Sequence, residues 1–383
     1  MLNAFKIKSI YVLVYMAFAF WRVYYNIFLL DDVGLSGSQI GTINGIIQFS
    51  IFFIVTFWSM VADKRGIRPT LRIVVFFCAI LMYFLGEVYS YWVLLIYIPI
   101  LTIFYHPVGP LTDALATEFA KVTGTYSFGA LRLWGSVGWA LASIIAGIAF
   151  KTTNIPLKYI FLASGVLYIA VIPFLTTRNK KRTFKPNFQP LKLNDLFGNR
   201  PLMLLSILIV LYGIVCSPVH AYLNLYFNEL NAGNDIVGFA YAIMAASEIP
   251  MFLIGSKLLK KYGADKVILV AIVTMLFRFI FYGFMPTPTV ALIICVFQGI
   301  TLPFFVIGIV DYLQRLLPEG RHATAQSIIW GLFLGVGQAS GNLLIGGFID
   351  TIGMVSIMQW YLVVTAICLG YALWYFKRTP QPQ

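Results

Sequence analysis

Long apolar runs, broken by short polar stretches, follow one another along the whole chain. A helix needs about 20 apolar residues to cross the hydrocarbon core of a bilayer. The stretches 9–31, 38–62, 70–88, 91–117, 127–150, 157–176, 201–228, 234–257, 266–284, 288–313, 323–348 and 353–376 have that reach. They are continuously apolar rather than alternating, and alternation is the mark of a membrane β-barrel. The pattern therefore predicts an all-α membrane protein with twelve transmembrane helices. One polar interruption is sizeable: residues 177–200 hold Arg178, Lys180, Lys181, Arg182 and Lys185 beside Pro186 and Pro190. It divides the chain into a six-helix bundle at 1–176, a basic linker at 177–200 and a second six-helix bundle at 201–383.

Composition sharpens this reading. Only 11% of the 383 residues are charged and 60% are hydrophobic, against about 25% charged in a soluble protein. That excludes a soluble globular fold and a disordered chain. The net charge of +13 invites a nucleic-acid partner until the basic residues are placed. With the N-terminus inside, the external loops hold Lys151 and Lys158, and the spans hold Arg22, Arg132 and Arg278. The remaining Lys and Arg fall on cytoplasmic segments. This is the positive-inside bias of a multi-pass protein with both termini cytoplasmic, and it gives no support to nucleic-acid binding. The four cysteines, Cys78, Cys216, Cys295 and Cys368, lie singly in apolar runs. They read as small core residues.

The two halves repeat at an offset of about 197 residues. Tyr24-Tyr25-Asn26 answers to Tyr222-Leu223-Asn224, and Ile40-Gly41 to Val237-Gly238. Asp63-Lys64-Arg65-Gly66 answers to Lys260-Lys261-Tyr262-Gly263, and Trp134-Gly135 to Trp330-Gly331. Six spans in each half make the repeat parallel. Such repeats build secondary transporters with a mid-membrane solute site.

An ionised side chain at a span centre costs about 2.5–3.5 kcal/mol. Arg22, Asp113, Arg132, Glu248, Arg278 and Asp311 all fall inside spans, so they are expected to face a wet interior. Pairing for structure alone is the competing explanation. Arg132, Ser136 and Trp139 share one helical face, as do His106, Pro110 and Asp113 on the preceding antiparallel span. An Asp113–Arg132 pair beside an aromatic ring suits a polar organic solute. The repeat matches Arg22 with His220 and Asn26 with Asn224, which makes these four, with Tyr24 and Tyr222, candidates to line the solute path. A core role for His220 fits the sequence equally well. Glu248 lies mid-span before Pro250; a desolvated carboxylate can hold a proton near neutrality. Arg278 is its candidate counter-ion, and Asp311 is grouped with them as a proton-coupling residue.

The stretch Ser59-Met60-Val61-Ala62-Asp63-Lys64-Arg65-Gly66-Ile67-Arg68-Pro69 resembles the signature loop of the major facilitator superfamily, in which Asp63, Arg65 and Gly66 would steady one conformation. Ser59 stands for the usual glycine and Ile67 for a basic residue. Residues 110–116 (PLTDALA) and 128–141 (FGALRLWGSVGWAL) resemble both the phenylpropionate permease family and the lactose permease group of oligosaccharide:proton symporters. The resemblance implies the major facilitator fold and assigns Asp113, Arg132 and Trp139 to the ligand. His220, Glu248 and Arg278 look like residues at matching places of the phenylpropionate permeases. Where the lactose group has its proton-coupling His and Glu, this chain has Gln298 and Thr301, and Asp311 replaces a Lys. A galactoside-binding Glu corresponds to Glu248, shifted by about a turn.

The sequence thus points to a proton symporter of the inner membrane, working as a monomer in the lipid bilayer on a small-molecule substrate. Sugars, oligosaccharides, aromatic carboxylates and nucleosides are all in play, and a non-transporting sensor is the alternative. No HExxH, GxSxG or GxxxxGK occurs, so no enzyme, cofactor or metal site is expected.

Overall fold

The computed structural model describes residues 3–126, 128–153, 155–175, 200–316 and 330–379. The 177–199 part of the linker, Arg321, and residues 323–329 of one predicted span lie outside the described residues. In the first half the helices are α1 (Ala4–Arg22), α2 (Gly37–Arg65), α3 (Ile67–Leu85), α4 (Tyr91–Tyr105), α5 (Val108–Thr123), α6 (Phe128–Thr153) and α7 (Tyr159–Val171). In the second half they are α8 (Arg200–Ala221), α9 (Leu223–Glu229), α10 (Asn234–Tyr262), α11 (Ala264–Phe284), α12 (Pro288–Ile294), α13 (Gln298–Leu316) and α14 (Ala339–Arg378).

Ten stretches among the described residues are long and apolar enough to cross a membrane. Tyr159–Leu175 is a shorter apolar helix. The stretch Gly331–Arg378 breaks at Gly353, whose φ is 75° and ψ 167°, so it holds two spans. With Tyr159–Leu175 and the two parts of Gly331–Arg378 counted, the described residues hold twelve apolar helical segments, where the hydrophobic pattern predicts twelve spans. Two are broken beside a proline, which removes a backbone donor. Pro107 stands at the junction of α4 and α5, and Pro218 lies one turn before the break that separates α8 from α9. A proline costs an intrahelical hydrogen bond and crowds the preceding turn. Large apolar side chains such as Trp92, Leu253 and Phe284 are more than 60% exposed, which suits contact with lipid.

The sequence repeat has a conformational counterpart. Tyr24 (φ −110°, ψ −1°) and Tyr222 (φ −116°, ψ 4°) both interrupt the first span of their half in the same bridge-region conformation. Gly66 (φ 93°, ψ 149°) and Gly263 (φ 87°, ψ 158°) both cap the helix that follows the second span. Only glycine takes such dihedrals readily.

Contacts divide the chain into two compact units. Unit one is Met1–Leu35, Ser50–Pro186 and Ala232–Ala246; unit two is Ser36–Phe49, Asn187–Asn231 and Ser247–Gln383. Each half thus lends the start of its second span to the other unit. In unit one α1 packs on α6 and α7, and in unit two α14 packs on α8 and α11. Small residues allow the borrowed segments to seat closely. A Cβ on Gly41 would fall 2.6 Å from Gly346 Cα in unit two, and one on Gly238 would strike the Ser143 carbonyl in unit one. The Gly41/Gly238 match in the sequence therefore records two equivalent close approaches of helix backbones.

Candidate functional site

Among the described residues, each unit holds a cluster of charged and polar side chains within its spans. In unit one, Tyr11 and Tyr15 are one helical turn apart on α1, Asp113 lies on α5 and Arg132 on α6. The Tyr11 hydroxyl donates to Asp113 Oδ1 at 2.8 Å. Arg132 Nε lies 3.4 Å from the same oxygen. The Arg132 guanidinium carbon stands 4.2 Å from the centre of the Tyr15 ring and 6.0 Å from that of Tyr11. A guanidinium over a ring face contributes about 0.5–2 kcal/mol, rising with desolvation, and a partly exposed ion pair about 0–1 kcal/mol. The Arg132 and Asp113 side chains remain 35% and 36% exposed, so a solute can reach them.

Local sequence makes this geometry possible. Gly135 sits one turn from Arg132, and a Cβ there would fall 2.9 Å from both Arg132 Nη1 and the Tyr15 ring. Gly138 comes up against the backbone of Val12, which brings α6 close to α1. Ser136 and Trp139 are half-buried further along α6. The Asp113–Arg132 pair was legible from spacing. Tyr11 and Tyr15 were not, because two tyrosines in an apolar first span carry no signal of which side chains they will meet.

In unit two the cluster centres on Gln298. Arg278, fully buried on α11, donates through Nη1 to Gln298 Oε1 at 2.7 Å and to Thr301 Oγ1 at 3.0 Å. Its Nη2 donates to the Tyr282 hydroxyl at 3.3 Å. Hydrogen bonds to a charged group contribute about 1.5–3 kcal/mol each, and here they surround a cation that burial alone would penalise. Gln298 Nε2 donates to Glu248 Oε1 at 3.2 Å and lies 3.2 Å from His220 Nε2. His220 Nδ1 is 2.6 Å from the Gln338 carboxamide, which in turn meets Gln48 at 3.0 Å. Gln338 ends a π-helical segment, Gly331–Gln338, and such irregularities recur at functional sites.

The sequence placed Glu248 against Arg278 as a direct counter-ion. The structure joins them through Gln298 instead, because an amide offers an acceptor to one and a donor to the other. His220 belongs to this network, in unit two, with Glu248 and Arg278. Asp311 lies toward the other end of α13, away from the Arg278–Gln298 contact. Asn26 and Asn224 are buried, and Asn224 Oδ1 accepts from the adjacent Leu225 N–H. Arg22, half-buried at the end of α1, stands 5.5 Å over the Trp21 ring.

Tyr24 and Tyr222, considered as path-lining groups, are fully buried anchors. The Tyr24 hydroxyl donates to the carbonyls of Asn234 (3.0 Å) and Ser143 (3.3 Å), and that of Tyr222 to the carbonyl of Asn342 (2.9 Å). Among the signature-loop residues, Asp63 and Arg65 are exposed at the end of α2, and Gly66 makes the turn.

Comparison with known proteins gives a consistent picture. A family model, the MFS_1 like family, matches residues 4–360. The maltose permease of Geobacillus stearothermophilus is 25% identical over 347 residues, covering 88% of this chain and 86% of that one. The xanthosine permease of Escherichia coli (strain K12) is 20% identical over 397 residues, covering 97% and 93%. Among solved structures, that of the nucleoside transporter NupG (D323A mutant) superposes with a TM-score of 0.88 at 17% identity, over 97% of this chain and 99% of that one. A likeness at that identity speaks to the fold.

Proposed function

The chain belongs to the MFS_1 like family of the major facilitator superfamily, and we propose that it is a proton-coupled symporter of a neutral, hydroxyl-rich solute of the sugar or nucleoside class. It is a secondary transporter working by alternating access, in which binding groups open in turn to either side of the membrane.

The observation that carries the solute class is the Asp113–Arg132 contact at 3.4 Å. A carboxylate beside a guanidinium offers acceptors and donors together, which neighbouring hydroxyls of a sugar or ribose can bridge. An anionic solute gains less here, because Asp113 already offsets the charge of Arg132 and repels a second carboxylate. Arg278, which with Arg22 and Arg132 could suit an aromatic acid, is enclosed by Gln298, Thr301 and Tyr282. Relatives named as maltose, sucrose, xanthosine and nucleoside permeases fit the same class. Tyr15, or Trp139 further along α6, supplies an aromatic surface for a sugar or base.

Arg132, Asp113 and Trp139 are the proposed solute-binding groups, and Arg22, Asn26, His220 and Asn224 are second-rank candidates. Glu248 is the proposed proton carrier, half-buried and neutralised on protonation, with Arg278 acting on it through Gln298. We assign the protein to the inner membrane as a monomer with both termini cytoplasmic. Support comes from Lys64 and Arg65, Lys260 and Lys261, and Lys377 and Arg378, all in last turns on one side by span parity.

The test is a thermal-shift screen of purified protein against maltose, sucrose, lactose, adenosine, uridine, xanthosine and phenylpropionate. Stabilisation by one or more of the neutral hydroxylated compounds, and none by phenylpropionate, is the expected result. Stabilisation by phenylpropionate alone would overturn the solute class.

A further inference from the structure

The hydrogen-bond network of unit two has a direction that fixes the state of its histidine. A guanidinium has donors only. The 2.7 Å contact with Arg278 Nη1 therefore turns the carboxamide oxygen of Gln298 toward Arg278, and its NH₂ group toward Glu248 and His220. The Glu248 carboxylate, an acceptor, demands the same orientation. His220 Nε2 must then accept from Gln298.

An imidazole that accepts at Nε2 carries its proton on Nδ1. Gln338 Nε2 stands 2.6 Å from Nδ1, and with a proton on Nδ1 that carboxamide has to be turned to present its oxygen there, since two donors cannot share one contact. Oxygen and nitrogen of a carboxamide are interchangeable in shape. That turn also reverses the 3.0 Å contact in which Gln48 Nε2 donates to Gln338 Oε1: the Gln338 NH₂ group then faces Gln48, whose carboxamide turns in the same way to present its oxygen.

We propose that Gln298 is a positioning residue that holds His220 in the neutral Nδ1–H tautomer, through a one-way chain of donors running Arg278, Gln298, His220, Gln338, Gln48. Every member donates away from the cation, so each negative end faces Arg278 and the dipoles reinforce one another. The other two states of the ring fail on the same geometry. An Nε2–H tautomer or an imidazolium sets N–H against N–H at Gln298, and Gln298 cannot turn without setting its NH₂ group against Arg278. His220 is thereby taken out of proton carriage and becomes a fixed strut between α8, α13 and the π-helical segment. The proton is left to Glu248, a consequence that rests on the symporter reading, whereas the tautomer does not.

The experiment is long-range ¹H–¹⁵N NMR of ¹⁵N-histidine-labelled full-length protein in lipid nanodiscs, without solute. The chain has 3 histidines, and the signal lost in His220→Asn assigns the one of interest. The expected spectrum shows a protonated Nδ1 and an unprotonated Nε2 for His220. In Gln298→Glu, a carboxylate accepts from Arg278 and from the ring at once, so the proton is expected at Nε2. An Nε2–H or doubly protonated His220 in the parent protein overturns the proposal, as does an unchanged Nδ1–H form in folded Gln298→Glu protein. If the parent spectrum is as expected but proteoliposomes accumulate no solute, the symporter reading fails and the tautomer assignment stands.

Discussion

Arg132 lies back on Tyr15, its guanidinium carbon 4.2 Å from the ring centre, while its Nε turns to Asp113. An arginine held on a ring face loses little more freedom when a solute arrives, which is the advantage of a preorganised site. The side chain remains about one-third exposed.

Removing this group tests the solute site. Arg132→Ala is expected to weaken solute binding by well over tenfold while the protein stays folded, since a charge-assisted hydrogen bond is worth about 1.5–3 kcal/mol. Arg132→Lys is expected to recover only part of that, because an ammonium cannot reproduce the planar stack. Isothermal titration with the best solute of the screen measures both. Unchanged affinity in Arg132→Ala would remove Arg132 from the site.

Gly135 tests the stack without touching either partner's chemistry. A Cβ placed 2.9 Å from Arg132 Nη1 and from the Tyr15 ring pushes the guanidinium off its seat. Gly135→Ala is expected to lower affinity several-fold with a far smaller change in the melting temperature. A loss of folding with normal affinity in the surviving protein would contradict the positioning argument.

The borrowed ends of the second spans make a separate prediction about stability. Gly41→Val and Gly238→Val force side chains into backbone at 2.6 Å from Gly346 and against Ser143, respectively. Overpacking of this kind costs about 1–3 kcal/mol, read as a lower thermal midpoint in detergent. Gly347→Ala is the control: its Cβ meets open space, and alanine in a helix is expected to be neutral or to stabilise by up to about 1 kcal/mol. Equal effects at all three positions would show that close approach is not what the repeated glycines serve.

The fold was legible because its main cost is local. A bilayer leaves every backbone polar group to be satisfied within its own helix, so apolar length alone marks the spans and basic residues mark their ends. The repeat was legible where it constrains backbone: Gly66 and Gly263 take dihedrals that other residues avoid, and Gly41 and Gly238 stand at close approaches. Side-chain partners are set by the packing of distant segments, and there spacing gave less. It found Asp113 with Arg132, on adjacent helices. It took Tyr24 and Tyr222 for path-lining groups, though their hydroxyls pin carbonyls of distant spans. It paired Glu248 with Arg278 directly, because depth in the membrane says nothing of the amide that stands between them.

In the proposed mechanism proton-driven accumulation depends on Glu248 changing its charge, and Glu248→Gln removes that change while keeping the shape of the side chain. The direct measurement is solute uptake into proteoliposomes under an imposed pH gradient, beside counterflow exchange with no gradient. Glu248→Gln is expected to abolish gradient-driven accumulation and to retain exchange. Accumulation at the parent level in Glu248→Gln would contradict it.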